Sequence, residues 1–112
     1  MKTIFEKIIE GELPAEKVYE DAKIIAIKDK FPKAPIHLLI IPKKMIPNLQ
    51  SVQEEDLFLI AEVCKVAQKL AKEFEIDEDG YRLLVNNGPD AGQIIFHLHF
   101  HLLGGRQLGP MG

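Results

Sequence analysis

Hydrophobic and polar positions follow two periods along this chain. Leu57, Ile60, Ala61, Cys64, Ala67, Leu70, Ala71 and Phe74 recur at i, i+3/i+4 and predict a long helix over Glu54–Phe74 lying on a sheet. Pro47 and Ser51 precede it, and Glu54, Glu55 and Asp56 crowd its start, where the helix dipole favours acid. Lys65, Lys69 and Lys72 mark its solvated side. A second, shorter stripe of Ile4, Phe5, Ile8 and Ile9 predicts a helix from Thr3 to Ile9. Thr3 and Glu6 match a capping box, and Gly11 and Pro14 close the segment.

The other period is two. Val18–Glu20 and Ile24–Ile27 read as strands of an antiparallel hairpin turning at Asp21-Ala22-Lys23. His37–Ile41 is apolar almost throughout and reads as a central strand covered on both faces, ended by Pro42. Two prolines make Asp29–Pro35 irregular. Tyr81–Val85 follows the turn Asp77–Gly80, and Asn86–Gln93 is a polar loop with two glycines. The run His97-Leu98-His99-Phe100-His101-Leu102-Leu103 alternates, and predicts a strand with three imidazoles on one face and Leu98, Phe100 and Leu102 on the other. Gly104-Gly105 breaks it, and the tail from Arg106 to Gly112 has little packing signal. Strands with one long and one short helix predict an α+β fold, an antiparallel sheet with helices against it.

Composition narrows the class. The length of 112 residues and 46% apolar content predict a single domain, residues 1–112, with one core. Net charge is −3 with no basic block, which argues against a nucleic-acid surface. The single cysteine, Cys64, excludes an intrachain disulfide, suits a reducing compartment, and is expected buried on the apolar face of the long helix. Met1-Lys2-Thr3 leads into an amphipathic stretch with no signal-peptide pattern, and no run approaches ~18 apolar residues. The expectation is a cytoplasmic protein without membrane association. Only two arginines occur, Arg82 and Arg106, so an anionic substrate would rely on imidazoles, backbone N–H groups and lysine.

Three histidines on one strand face are unfavourable neighbours unless something uses them. Their α-carbons would stand about 6.5–7 Å apart, a row that spans a phosphate. One use is a metal site shared by the row, although no nearby acidic residue completes its shell. The other is nucleophilic catalysis. A neutral imidazole attacks phosphorus while its neighbours bind the phosphate oxygens and protonate the leaving group. The glycine-containing loop would add backbone N–H groups. His37, opening a buried strand, is either a satisfied core histidine or a fourth member of the site.

The run His97–Leu103 has the form H-φ-H-φ-H-φ-φ and resembles the signature of the histidine triad (HIT) superfamily of nucleotide hydrolases and transferases. Phe5–Ala15, Ala34–His37, Ile41–Lys44, Gly80–Arg82 and Gly104–Gln107 resemble its Hint branch, the histidine triad nucleotide-binding proteins. The resemblance implies a HIT-like fold, a homodimer with joined sheets, a purine nucleotide (AMP or GMP) as ligand, and no cofactor. It implies His99 as nucleophile, with its other ring nitrogen donating to the His97 carbonyl, and His101 and His37 on phosphate and leaving group. By the same resemblance, Asn86 and the Gly92-Gln93 backbone contact phosphate. Asp29 holds the ribose, and Phe5, Ile8 and Ile27 line the base slot. Some relatives build a zinc site from two cysteines and two histidines; here Thr3, Glu6 and Met45 stand at three of those places beside His97, so no metal is expected. Ile94 replaces a serine that supports the leaving group in many Hint proteins. The implied activity is purine nucleoside phosphoramidate hydrolysis through a nucleotidyl-histidine. The alternatives are dinucleoside polyphosphate hydrolysis, or nucleotide binding with little turnover.

Overall fold

The computed structural model describes residues 1–111. One sheet holds β1 (Lys17–Glu20), β2 (Ile24–Lys28), β3 (Ile36–Pro42), β4 (Tyr81–Val85) and β5 (Phe100–Gly104). Their order is β1-β2-β3-β5-β4, and every neighbouring pair is antiparallel. Two helices accompany it, α1 (Ile4–Ile9) and α2 (Phe58–Glu73). This is the expected α+β architecture. Among the described residues, no helix is long and apolar enough to cross a membrane.

β3 is central and buried on both faces, as its unbroken apolar run requires. Leu38 and Ile40 join Ile24, Ala26, Phe100 and Leu102 under α2. Leu39 and Ile41 face the other way, with Ile25 and Ile27 under Phe5 and Ile8 of α1. The capping box of α1 is complete: Thr3 Oγ1 accepts the Glu6 N–H at 3.1 Å, and Glu6 Oε1 accepts the Thr3 N–H at 2.9 Å. It seats α1 on the sheet face opposite α2.

Two sequence expectations need correction. The histidine strand is shorter than its alternation predicts, since β5 starts at Phe100 and leaves His97 and His99 outside the ladder. The register explains this. Ile40 pairs with Phe100, so two residues further on Leu98 would face Pro42. Proline has no N–H to give, so the ladder ends there, and the Leu98 N–H instead donates to the Ile46 carbonyl at 2.7 Å.

The second correction concerns the long helix. A 3-10 turn takes Glu54–Asp56, and α2 begins only at Phe58. Its buried face is Leu59, Val63, Val66, Ala67, Leu70 and Ala71. The stripe predicted from Leu57 lies one position further round; Leu57 is 51% exposed and Cys64 is exposed. Both stripes run with 4-3-4 spacing through a segment apolar on two sides, so periodicity could not separate them. Asp56 is not merely a dipole partner. It is buried and accepts from Lys44 Nζ at 2.7 Å.

The two helix faces make opposite demands on stability. Leu59→Ala should cost about 2–5 kcal/mol by transfer and cavity loss, whereas Leu57→Ala should stay within about 0.5 kcal/mol. Thermal melting of the two variants checks this, and the reverse ranking would place the Leu57 stripe against the sheet.

Candidate active site

Four histidines from three segments meet on the α1 side of the sheet. His37 is the second residue of β3, and His101 is the second of β5. Leu39 pairs with His101, so His37 lies diagonally across the ladder from it. His97 and His99 sit on the irregular approach to β5. Alternation still holds there, with Leu98 packed in the α2-side core and Phe5 against the rings of His97 and His99 on the other side.

Hydrogen bonds determine where each ring carries its proton, because an amide N–H only donates and a carbonyl only accepts. The Lys33 N–H donates to His37 Nδ1 at 3.0 Å. The His37 proton therefore sits on Nε2, which lies 2.9 Å from His101 Nδ1 and 3.4 Å from Asp29 Oδ2. His101 Nδ1 accepts, so its own proton sits on Nε2. His99 Nδ1–H donates to the His97 carbonyl at 2.7 Å, leaving Nε2 with a free lone pair. His97 is fully buried; its Nε2–H donates to the Pro42 carbonyl at 2.7 Å, and its Nδ1 has no partner among the described residues. The row is thus unequal: one ring anchors, one presents a lone pair, and one presents an N–H.

The electrostatics keep these rings neutral. Burial pushes all four imidazoles below the usual histidine range. For His101 burial, reinforced by neighbouring His99 and His37, takes the value down to about 4. Asp29 opposes the shift at His37, His99 and His101 but does not overcome desolvation.

An open cavity of about 710 Å³ lies over this group. Its walls include His37, His99, His101, Asp29, Asn86 and Phe5. Phe5 meets the His99 ring edge-on with centroids 4.9 Å apart. Ile8 and Ile27 are buried behind Phe5 and do not reach the cavity. Asp29 Oδ1 is occupied by the Phe31 N–H at 2.8 Å, while Oδ2 faces His37. Gly92 and Ile94 line the cavity, and Ile94 is 86% exposed at its rim.

The two backbone amides that the resemblance assigns to phosphate are occupied within their own turn. Gly92 N–H donates to the Pro89 carbonyl at 2.9 Å and Gln93 N–H to the Gly88 carbonyl at 3.1 Å. The Gln93 side chain is buried away from the cavity. The next two N–H groups, those of Ile94 and Ile95, make no hydrogen bond among the described residues. Sequence reading also missed the Lys33 amide, Phe31, Arg82, Arg106 and the tail Leu108–Met111, all at the cavity wall. Being the only two guanidiniums was the sole available signal for Arg82 and Arg106. A backbone N–H leaves no trace in sequence.

Two places resemble metal sites by residue type. One ligand atom each from Asp29, His37 and His101 lies within 4.8 Å of the others. For His37 to ligate through Nε2, its proton would have to move to Nδ1, against the Lys33 N–H. The hydrogen bonding therefore favours a proton-bearing pair over a metal. Near α1, Thr3 and Glu6 are both engaged in the capping box, and Met45 is half exposed. Together with His97 they do not fit a zinc ion.

Comparison with known proteins identifies the family. The model of the HIT domain family matches residues 10–108. The chain is 59% identical over 111 residues to an uncharacterized HIT-like protein of Chlamydia trachomatis serovar D, covering 99% of each. It is 46% identical over 110 residues to the purine nucleoside phosphoramidase of Escherichia coli K12, covering 98% of this chain and 92% of the relative. Among solved structures, a HIT family hydrolase from Legionella pneumophila superposes with a TM-score of 0.94 at 46% identity, covering 96% of both chains. Matched over nearly its whole length by the family model and by these relatives, the chain belongs to the HIT domain family.

Proposed function

We propose that this protein hydrolyses purine nucleoside phosphoramidates through a nucleotidyl intermediate on His99. One observation carries the reading. His99 Nδ1–H is held by the His97 carbonyl at 2.7 Å, so the nitrogen left for the cavity is an unprotonated nucleophile. The similarity to the purine nucleoside phosphoramidase of Escherichia coli supports the substrate class.

In this reading His99 Nε2 attacks the α-phosphorus, a P–N bond forms, and the P–N bond to the amine breaks. Exchanging one P–N bond for another is nearly balanced, which suits a phosphoramidate. On binding the phosphoramidate anion the His37–His101 pair takes up one proton from solvent, and His101 Nε2–H passes a proton to the leaving amine, which returns the pair to neutrality. Positive charge developing on the His99 ring, 5.2 Å away between centroids, eases that release. Water then attacks phosphorus, returns a proton to His101, and frees the nucleotide and His99. Phe5, backed by Ile8 and Ile27, takes the purine. Asp29 takes the ribose hydroxyls, and Asn86 with the free amides of Ile94 and Ile95 takes the phosphate, Gly92 shaping the turn that presents them. His37 steadies His101, and His97 holds the carbonyl that orients His99. The outer edge of β4, Tyr81–Val85, is unpaired in the sheet and serves as the seam of a homodimer.

His99→Ala should lower kcat by ~10³-fold or more, and mass spectrometry of protein mixed with adenosine phosphoramidate should show a nucleotidyl adduct on His99. Two in-line displacements require net retention at a chiral thiophosphate, so inversion would sink the mechanism. Ile94→Ser should speed substrates with poor leaving amines by about tenfold, visible as a flatter dependence of rate on amine basicity.

Acid should destabilise the fold in a defined window. The imidazole affinities are lowered in the folded state, so the unfolded chain binds more protons once pH drops below about 6.5. Stability is fully present above that value and is lost on the way down to about 4, where His101 protonates in the folded state. A thermal midpoint that stayed level or rose over this range would contradict the assigned neutral rings.

A further inference from the structure

Gln93 is the only buried side chain in the stretch from Asn86 to Phe96, at 4% exposure. Its carboxamide ties three separate points together. Oε1 accepts the Gly88 N–H at 2.8 Å, and Nε2 donates to the Pro47 carbonyl at 2.9 Å and the Ile95 carbonyl at 3.0 Å. Both hydrogens of the amide and one lone pair are therefore used in fixed directions. The loop needs such a tie. It contains Gly88 at φ +86° and Gly92 at φ +94°, left-handed conformations that glycine enters and leaves freely. Two side chains link this loop to the segment between β3 and α2: exposed Asn87, whose Oδ1 accepts the Gln50 N–H at 2.7 Å, and buried Gln93, which alone of the two also bonds within the turn.

We propose that Gln93 is a positioning residue for the phosphate of a nucleotide. Its carboxamide holds the Gly88–Ile95 turn so that the N–H groups of Ile94 and Ile95 stay available beside His99. It does not touch substrate: it is buried behind the turn, and its own N–H is engaged by Gly88. The chemistry of the side chain is specific. A carboxylate accepts from Gly88 but turns a negative charge on two carbonyls, and a thioether of the same shape makes none of the three bonds. The proposal rests on the site being a nucleotide site, and not on phosphoramidate hydrolysis.

The test compares AMP with adenosine, which share everything except the phosphate. Calorimetric dissociation constants for both ligands are measured on the wild-type protein, Gln93→Met and Gln93→Glu. The expected result is a fall of about tenfold or more in the AMP-to-adenosine affinity ratio in both variants, with adenosine affinity kept within about twofold. A merely structural role would weaken both ligands together and leave the ratio unchanged, which would overturn the proposal.

If the variants do not fold, the wild-type protein decides. AMP, but not adenosine, should move the amide proton resonances of Ile94 and Ile95 downfield while those of Gly92 and Gln93 stay. Movement of the Gly92 and Gln93 amides instead, or none at Ile94 and Ile95, would overturn it. A wild-type protein that failed to prefer AMP over adenosine would overturn both this inference and the nucleotide reading. A lowered ratio in variants of a protein that does not cleave phosphoramidates would sustain the inference and remove the proposed reaction.

Discussion

The hydrogen bond from the Lys33 N–H to His37 Nδ1 leaves that ring one place for its proton, and the rest of the pair follows. The proton lies on Nε2 and points at His101 Nδ1, which sends the His101 proton to the cavity side. A second backbone group, the His97 carbonyl, makes the opposite assignment at His99 and leaves a lone pair there. Neighbouring imidazoles of one residue type thereby become a nucleophile and a proton donor. Burial completes the arrangement by keeping the rings neutral, since a desolvated imidazolium has too little to stabilise it.

Pro42 links this proton pattern to the sheet. Lacking an N–H, it ends the β3–β5 ladder at Phe100, freeing His97 and His99 from strand geometry. Its carbonyl, left without a strand partner on that side, takes the His97 Nε2–H. His97 is then fixed in the core, and its own carbonyl is in place to orient His99. The end of one strand and the orientation of the proposed nucleophile thus share a cause. The unpartnered Nδ1 of His97 is the cost of that anchoring.

Much of the fold was legible in local pattern. The capping box at Thr3 and Glu6, the doubly buried β3 and the breadth of β4 lie where periodicity and turn residues placed them. The buried face of α2 was not legible. Leu59 and Val63 compete with Ile60 and Cys64 for the same spacing, and only the sheet beneath selects between them. In the site, the four histidines and Asp29 were visible as residue types, and the structure brings them together. Ile8 and Ile27, equally visible, turn out to support Phe5 from behind.

The sequence by itself determined the elements, the two-sided burial of β3 and the clustering of imidazoles on one face, because these depend on residues close together in the chain. Tertiary structure decided which ring carries its proton on which nitrogen, where the histidine strand begins, and which loop amides remain unpaired. Those outcomes depend on single donors and acceptors from distant segments, Lys33, Pro42 and Pro47 among them. Backbone groups are the same at every residue, so nothing in the sequence marks the few that come to face a histidine or a glutamine.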